Sequence, residues 1–133
     1  MNKDNLIQKC VSLAGQTSYK VGGDAQWYAA PRNWDELAAS FEWYQSQDMP
    51  LTLLGAGSNL LISDRGLPGF VLSTRYFRGY EFDPDTGILV ADAGEAIAKL
   101  AWKAAKRGLK GLEWAVGIPG TVGGGVVMNA GAH

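Results

Sequence analysis

The stretch from residue 51 to residue 72, LTLLGAGSNLLISDRGLPGFVL, constrains the fold of this chain most. Leu51-Thr52-Leu53-Leu54 is a short apolar run, expected to be a buried strand. It breaks at Gly55-Ala56-Gly57-Ser58-Asn59, a tight polar loop. A second, β-like apolar run, Leu60-Leu61-Ile62, follows at once. A turn at Asp64-Arg65-Gly66 then leads to Gly69-Phe70-Val71-Leu72. A strand feeding a loop with two glycines, a serine and an asparagine turns several backbone N–H groups toward one point, a concavity suited to phosphate or another anion. One reading is therefore a loop that holds the pyrophosphate of a dinucleotide. The other is an Asx-type turn joining two strands.

Neither common nucleotide fingerprint is present. Leu60-Leu61-Ile62 is too β-like to open the helix that a Rossmann G-x-G-x-x-G loop requires, and no acidic residue follows at the right distance. A Gly-Lys-Ser/Thr phosphate loop is also absent.

The chain upstream supplies a parallel crossover. Asn5 to Ala14 reads as a helix with Leu6, Ile7, Cys10, Val11 and Ala14 on one face, ended by Gly15. Cys10, the single cysteine, is expected to be a buried thiol there, and it excludes an internal disulfide. Thr17 to Gly23 is extended and turns at a glycine pair, and Gln26 to Ala30 is a short strand. Asn33 with Glu36 forms a capping-box pattern. Behind it Trp34, Leu37, Ala38, Phe41 and Tyr44 make a core stripe, and Asp48 and Pro50 stop the helix. Strand, helix and strand with short links predict a parallel βαβ unit.

After Leu72 the texture changes. Tyr80-Glu81-Phe82 and Gly87 to Ala91 flank Asp83-Pro84-Asp85-Thr86, an antiparallel hairpin signal. Glu95 to Arg107 is a second helix with Ile97, Leu100, Ala101 and Ala104 inward, basic residues in its last turns and Gly108 as its cap. A junction between two lobes is expected between Ser73 and Gly79.

Glycine is the compositional signal. The 18 glycines among 133 residues are about twice the usual share. They gather at 22–23, 55–69 and 117–131. Gly117-Ile118-Pro119-Gly120 followed by Gly123-Gly124-Gly125 leaves little side-chain volume. Backbone so bare either lies flat against a planar ring system, with N–H groups on its heteroatoms, or serves close packing between elements. Trp27, Trp43, Trp102 and Trp114 read as packing residues, although Trp114 also stands where it could line a ligand. Asp24 and Asp64 read as turn caps. Asn129 and His133 are polar residues after an apolar run, and a lone histidine at the terminus argues against a metal centre.

Net charge near −1 with dispersed Lys and Arg speaks against nucleic acid or a membrane surface. The start lacks the apolar core of a signal peptide. A cytoplasmic protein is expected. No Ser-His-acid or Cys-His set is visible.

Three stretches carry a family resemblance: Tyr19-Lys20-Val21-Gly22-Gly23; Leu54 through Leu61, LGAGSNLL; and Gly117 through Gly124, GIPGTVGG, with Met128-Asn129-Ala130-Gly131. In order and spacing they resemble the N-terminal part of the UDP-N-acetylenolpyruvoylglucosamine reductases, flavoenzymes of peptidoglycan precursor synthesis. The resemblance covers essentially the whole chain. It implies an α+β, vanillyl-alcohol-oxidase-like FAD-binding fold of two small lobes, residues 1–75 and 76–133. The second lobe would be truncated and the substrate domain absent.

It also implies non-covalent FAD. Gly55, Ala56, Gly57, Ser58 and Asn59 would bind the pyrophosphate, with Leu54 and Leu60 at the loop's two ends. Gly117, Ile118, Pro119, Gly120, Thr121, Gly123 and Gly124 would line the pyrophosphate and flavin side, with Asn129 in the same set. Val21, Gly22 and Gly23 would help shape the adenosine side. In the family NADPH supplies hydride through the flavin to the enolpyruvyl carbon of a UDP-sugar. A serine, helped by a glutamate, protonates the neighbouring carbon, and an arginine aids the site. The resemblance places these three groups beyond His133, so no catalytic residue is assigned in this chain. Two other readings stand beside it: a non-catalytic nucleotide-binding module, and a truncated scaffold that buries its open strand edges by self-association.

Overall fold

A computed structural model describes residues 6–131. Two sheets are formed. The larger runs in the order β1-β2-β4-β3 and the smaller pairs β5 with β6. The strands of the first are β1 (Gln8–Ser12), β2 (Asp24–Ala29), β3 (Leu51–Leu54) and β4 (Leu67–Ser73). β1 is antiparallel to β2, while β2 and β3 both run parallel to β4. The expected crossover from β2 through α1 (Trp34–Gln45) to β3 is therefore present. It skips one position, and β4 fills the gap. Phe70, Val71 and Leu72 of this central strand are buried against both neighbours.

β4 enters the sheet through a bulge. Ala25 pairs with Leu67 but Trp27 pairs with Phe70. Two residues of β4 thus stand opposite Gln26 alone: Pro68, which has no N–H for the ladder, and Gly69, with φ +85°. Gln26 Oε1 accepts from Gly69 N at 2.7 Å and so replaces the lost ladder bond.

α1 begins as its sequence requires. Asn33 Oδ1 accepts from Glu36 N at 2.9 Å, and Glu36 reaches back to Arg32 N at 2.8 Å. Its buried face differs from the expected stripe: Trp34 is 69% and Phe41 37% exposed, and Ala38 is also exposed. The face turned to the sheet carries Leu37, Trp43 and Tyr44, with Ser40 fully buried. Trp43 decides this. Its ring lies 4.9 Å from Trp27 and 5.3 Å from Phe70, so burying it rotates the helix away from the position that would bury Trp34 and Phe41. Ser40 tolerates burial because its hydroxyl donates to Glu36 O at 2.7 Å.

The segment expected to be a helix from Asn5 to Ala14 is instead β1 and a single 3-10 turn over Ala14–Gln16. Asn5 lies outside the described residues. A ten-residue helix gains little on its own, whereas an edge ladder on β2 is available and brings Leu13 into the core beside Tyr28, Leu54 and Val71. Cys10 accordingly lies exposed, with φ +52°, rather than buried. Leu60-Leu61-Ile62 joins no ladder either. Only Ile62 is buried, while Leu60 and Leu61 are 40% and 75% exposed.

The hairpin forms as expected from β5 (Tyr80–Phe82) and β6 (Leu89–Ala91). α2 spans Ile97–Lys106 and buries Leu100, Ala101 and Ala104. Its N-cap is Ala96, without a side-chain cap bond, its C-cap is Arg107, and Gly108 follows with φ +71°. Lys103 Nζ lies 3.8 Å from the Tyr80 ring centre, and the Arg107 guanidinium lies 4.7 Å from that of Phe82. These two contacts tie α2 to the hairpin. Trp102 is 57% exposed, not a packing residue.

The glycine-rich stretch near the end contains α3, Val122–Val127, which the sequence does not suggest. Each glycine costs a helix about 1 kcal/mol relative to alanine. Tertiary contact overrides that cost. Thr121 Oγ1 caps Gly124 N, and a Cβ on Gly123 would lie 2.9 Å from that of Ala93.

Candidate functional site

The parallel register sets the site. Leu54 pairs with Ser73, so β3 and β4 end side by side and their following loops leave the same edge of the sheet. The carboxyl ends of parallel strands are where α/β sheets bind ligands. Here they open into a cavity of about 520 Å³. One wall is the 53–60 segment, the other is Ile118 to Thr121 with α3, and Thr74 and Ala93 lie between.

The two glycine-rich loops, 61 residues apart in sequence, meet there. Ser58 Oγ donates to Pro119 O at 3.4 Å. Both glycines at the seam are needed. A Cβ on Gly55 would lie 2.6 Å from Thr121 Oγ1, and one on Gly120, where φ is +119°, would lie 2.9 Å from Ser58 Oγ.

The 55–59 loop has a defined sidedness. Leu54 O accepts from Thr74 N at 2.8 Å, and Gly57 O accepts from Ser18 N at 3.0 Å. Ala56 O accepts from Arg75 Nη2 at 3.4 Å. In a trans peptide the C=O and the following N–H point in opposite directions. Three carbonyls tied to one side therefore send the N–H groups of Gly55, Gly57 and Ser58 to the other. Among the described residues no protein acceptor takes the N–H of any residue from Gly55 to Leu60. Gly57 has φ +66° and packs on the Gln16 carbonyl and Thr17 Cα, where a side chain would collide. Oriented, unshared N–H groups of this kind form an anion cradle.

The α3 terminus is different. Val122 N donates to Glu95 O and Gly123 N to Ala93 O, both at 2.9 Å, and Gly125 N donates to Thr121 O at 2.8 Å. Gly124 N is taken by Thr121 Oγ1. The glycines of α3 thus present bare surface to the cavity, but their donors are committed to the protein, contrary to the expectation that they serve ring heteroatoms.

Of the expected site residues, Leu54, Gly55, Ala56, Gly57, Ser58, Asn59, Leu60, Ile118, Pro119, Gly120, Thr121, Gly123 and Gly124 line the cavity. Val21, Gly22, Gly23, Gly117 and Asn129 do not. Gly22 and Gly23 instead pack against Ile62 and against the Asp64 to Gly66 turn, where a Cβ on either would clash. Trp114 does not line the cavity either, and its indole donates to Gly111 O at 3.1 Å. Gly125, Met128 and Ala130, which belong to the last glycine-rich stretch, also line the cavity, and Leu53, Thr74, Ala93 and Val127 line it without a motif of their own. The β3–β4 register brings Thr74 to the cavity, and the bond from Gly123 N to Ala93 O brings Ala93 there. No group of three or more His, Cys, Asp or Glu able to hold a metal occurs among the described residues. His133 lies outside them. No helix among them is long and apolar enough to cross a membrane.

A cradle of unshared N–H groups at the carboxyl ends of parallel strands, facing a glycine-lined wall, is an arrangement into which a nucleotide cofactor fits. The model of the FAD binding domain family matches residues 25–133, and the chain belongs to that family. It is similar to the UDP-N-acetylenolpyruvoylglucosamine reductases of Synechocystis, 66% identical over 96% of this chain and 40% of that one, and of Acaryochloris marina, 65% identical over 96% of this chain and 41% of that one. A crystal structure of UDP-N-acetylenolpyruvylglucosamine reductase from Thermus caldophilus matches with a TM-score of 0.68 at 36% identity, over 96% of this chain and 44% of that one. The resemblance carried by the three motifs is borne out, and the shared stretch is the N-terminal FAD-binding part of these reductases. The fold is the expected α+β, vanillyl-alcohol-oxidase-like type, shortened relative to the whole enzyme. The chain spans about 40% of the length of the curated relatives.

Proposed function

We propose that this chain holds FAD without a covalent bond, its pyrophosphate seated on the N–H groups of Gly55, Gly57 and Ser58. The observation that carries this reading is the set of tied carbonyls behind the loop and unshared donors in front of it. Charge-assisted bonds from such donors are stronger than neutral ones, and the donors cost no reorganisation because their peptide planes are already fixed. Asn59 adds a side-chain amide donor at the same wall, while the Ser58 hydroxyl is given to Pro119 O. The cavity lies within the size range of small-molecule and cofactor sites. Ile118, Pro119 and the bare glycine face of α3 exclude water from the flat surface of a ring and fix its orientation.

In the whole protein the reading is an NADPH-dependent reductase that converts UDP-N-acetylglucosamine enolpyruvate to UDP-N-acetylmuramate. When bound, the flavin supplies the hydride chemistry. Residues 1–133 supply cofactor binding, orientation and a dry wall, and the UDP-sugar and the proton donor belong to chain outside them. The kinship with the reductases supports this assignment. By itself the 133-residue chain binds FAD without turnover. Titration of the purified chain with FAD, followed by flavin fluorescence, tests the binding. Saturable quenching is expected, and unchanged fluorescence at high protein concentration would reject the reading.

A further inference from the structure

We infer that Arg75 is a positioning residue for the cofactor loop, acting through a single peptide plane. The inference rests on the cofactor reading above. Of the three carbonyls tied behind the loop, two are held by main-chain donors, Thr74 N and Ser18 N. The third, Ala56 O, is held by a side chain, the Nη2 of Arg75. The same nitrogen donates to Gln16 O at 2.8 Å, so it bridges the 3-10 turn after β1 and the loop after β3. Arg75 is partly buried. It reaches this place because β4 ends beside β3, which brings the second residue beyond Ser73 alongside the loop.

Ala56 O and the Gly57 N–H belong to one peptide. Holding the oxygen back keeps the N–H forward. Gly57, with no Cβ and φ +66°, has access to conformations closed to other residues. The plane before it is therefore the one most free to turn over, and a turned plane would face a carbonyl oxygen toward the pyrophosphate. The charge of the guanidinium also favours an anion on the far side of the peptide it holds.

Backbone amide NMR of the 133-residue chain with FAD as the probe tests this. In the unsubstituted chain the amides of Gly55, Gly57 and Ser58 are expected to shift together on saturation. In Arg75→Met the Gly57 response is expected to be lost while those of Gly55 and Ser58 remain, with FAD affinity lowered about tenfold, the scale of one charge-assisted hydrogen bond. Arg75→Lys keeps the charge and one donor and should recover part of both. Arg65→Met, which removes an equal charge from an exposed side chain clear of the cavity, should match the unsubstituted chain. Should Arg75→Met prove unstable, the same amide pattern in Arg75→Lys decides. Unchanged affinity in Arg75→Met overturns the inference. So does an equal loss of all three amide responses, the signature of general loosening. Failure of the unsubstituted chain to bind FAD is a separate result, and it removes the cofactor reading itself.

Discussion

At Gly57 one residue serves both the fold and the site. Its positive φ and the closeness of the Gln16 carbonyl exclude any side chain, and that same conformation turns the adjoining N–H groups outward. Gly57→Ala combines a left-handed alanine, about 1 kcal/mol, with a collision against backbone. The apo chain is expected to melt at lower temperature and to bind FAD far more weakly, as calorimetry and fluorescence titration would show. A variant with normal melting and normal binding would refute the geometry described for this loop. The sequence marks Gly57 as a tight loop position beside Ser58 and Asn59 but leaves an anion loop and a plain Asx-type turn equally open, and the family resemblance is what favours the first. Arg75 was not legible, since its role comes from a strand register that no local pattern encodes. Gly22 and Gly23 read from the sequence as a turn, and in the fold they pack against Ile62 and the 64–66 turn; their part on the adenosine side is implied by the family resemblance alone.

At the scale of elements, α3 separates glycines kept for packing from glycines kept for a ligand. A Cβ on Gly123 would press on Ala93 at 2.9 Å, whereas one on Gly124 meets only Thr121 Oγ1 at 3.4 Å. Gly123→Ala should therefore destabilise the apo chain. Gly124→Ala should raise its melting point through helix propensity, by about 0.5–1 kcal/mol, while the added methyl at the cavity wall weakens FAD binding. Opposite signs for stability and affinity in one variant would identify Gly124 as a ligand-facing residue, and a rise in both would reject that role. The hairpin offers a pH test. The Thr86 hydroxyl, then the backbone N–H groups of Asp85 and Thr86, hold the Asp83 carboxyl below its ordinary value of 3.8. A depressed carboxyl contributes stability in full above the unfolded value, and that contribution is lost as pH falls through the folded one. The side-chain bonds of Asp83 in the β5–β6 turn should thus outlast the titration of an ordinary carboxyl as pH falls, and an NMR titration of Asp83 with a midpoint at or above 3.8 would contradict it. Elements with capping or turn chemistry, such as α1 and this hairpin, were readable in advance. β1 and α3 were not, because β1 depends on a partner strand and α3 on the 93–95 carbonyls.

At the scale of the molecule, the open edges carry the last consequence. A compact monomer of 14.2 kDa presents about 6,800 Å² of surface, and this chain presents 8593 Å². Part of the excess is apolar. Leu53 on edge strand β3 is 59% exposed, Ile88 and Val90 on the hairpin 58% and 67%, and Val126 and Val127 on α3 76% and 81%. Edge strands with exposed aliphatic residues are templates for pairing with another chain. The 133-residue chain is therefore expected to associate as its concentration rises, with a mass above 14.2 kDa in sedimentation equilibrium. The β6 edge and the α3 tip are the surfaces to test, because neither Val90 nor Val126 lines the cavity. Placing a lysine at both, Val90→Lys with Val126→Lys, adds charge where pairing would bury it. The doubly substituted chain should remain monomeric at concentrations where the original associates, and its affinity for FAD should not change. A chain that is monomeric throughout would show that these edges are too short or too twisted to pair. Association that survives both lysines would move the contact to β3 and Leu53, beside the cavity, and FAD should then compete with it.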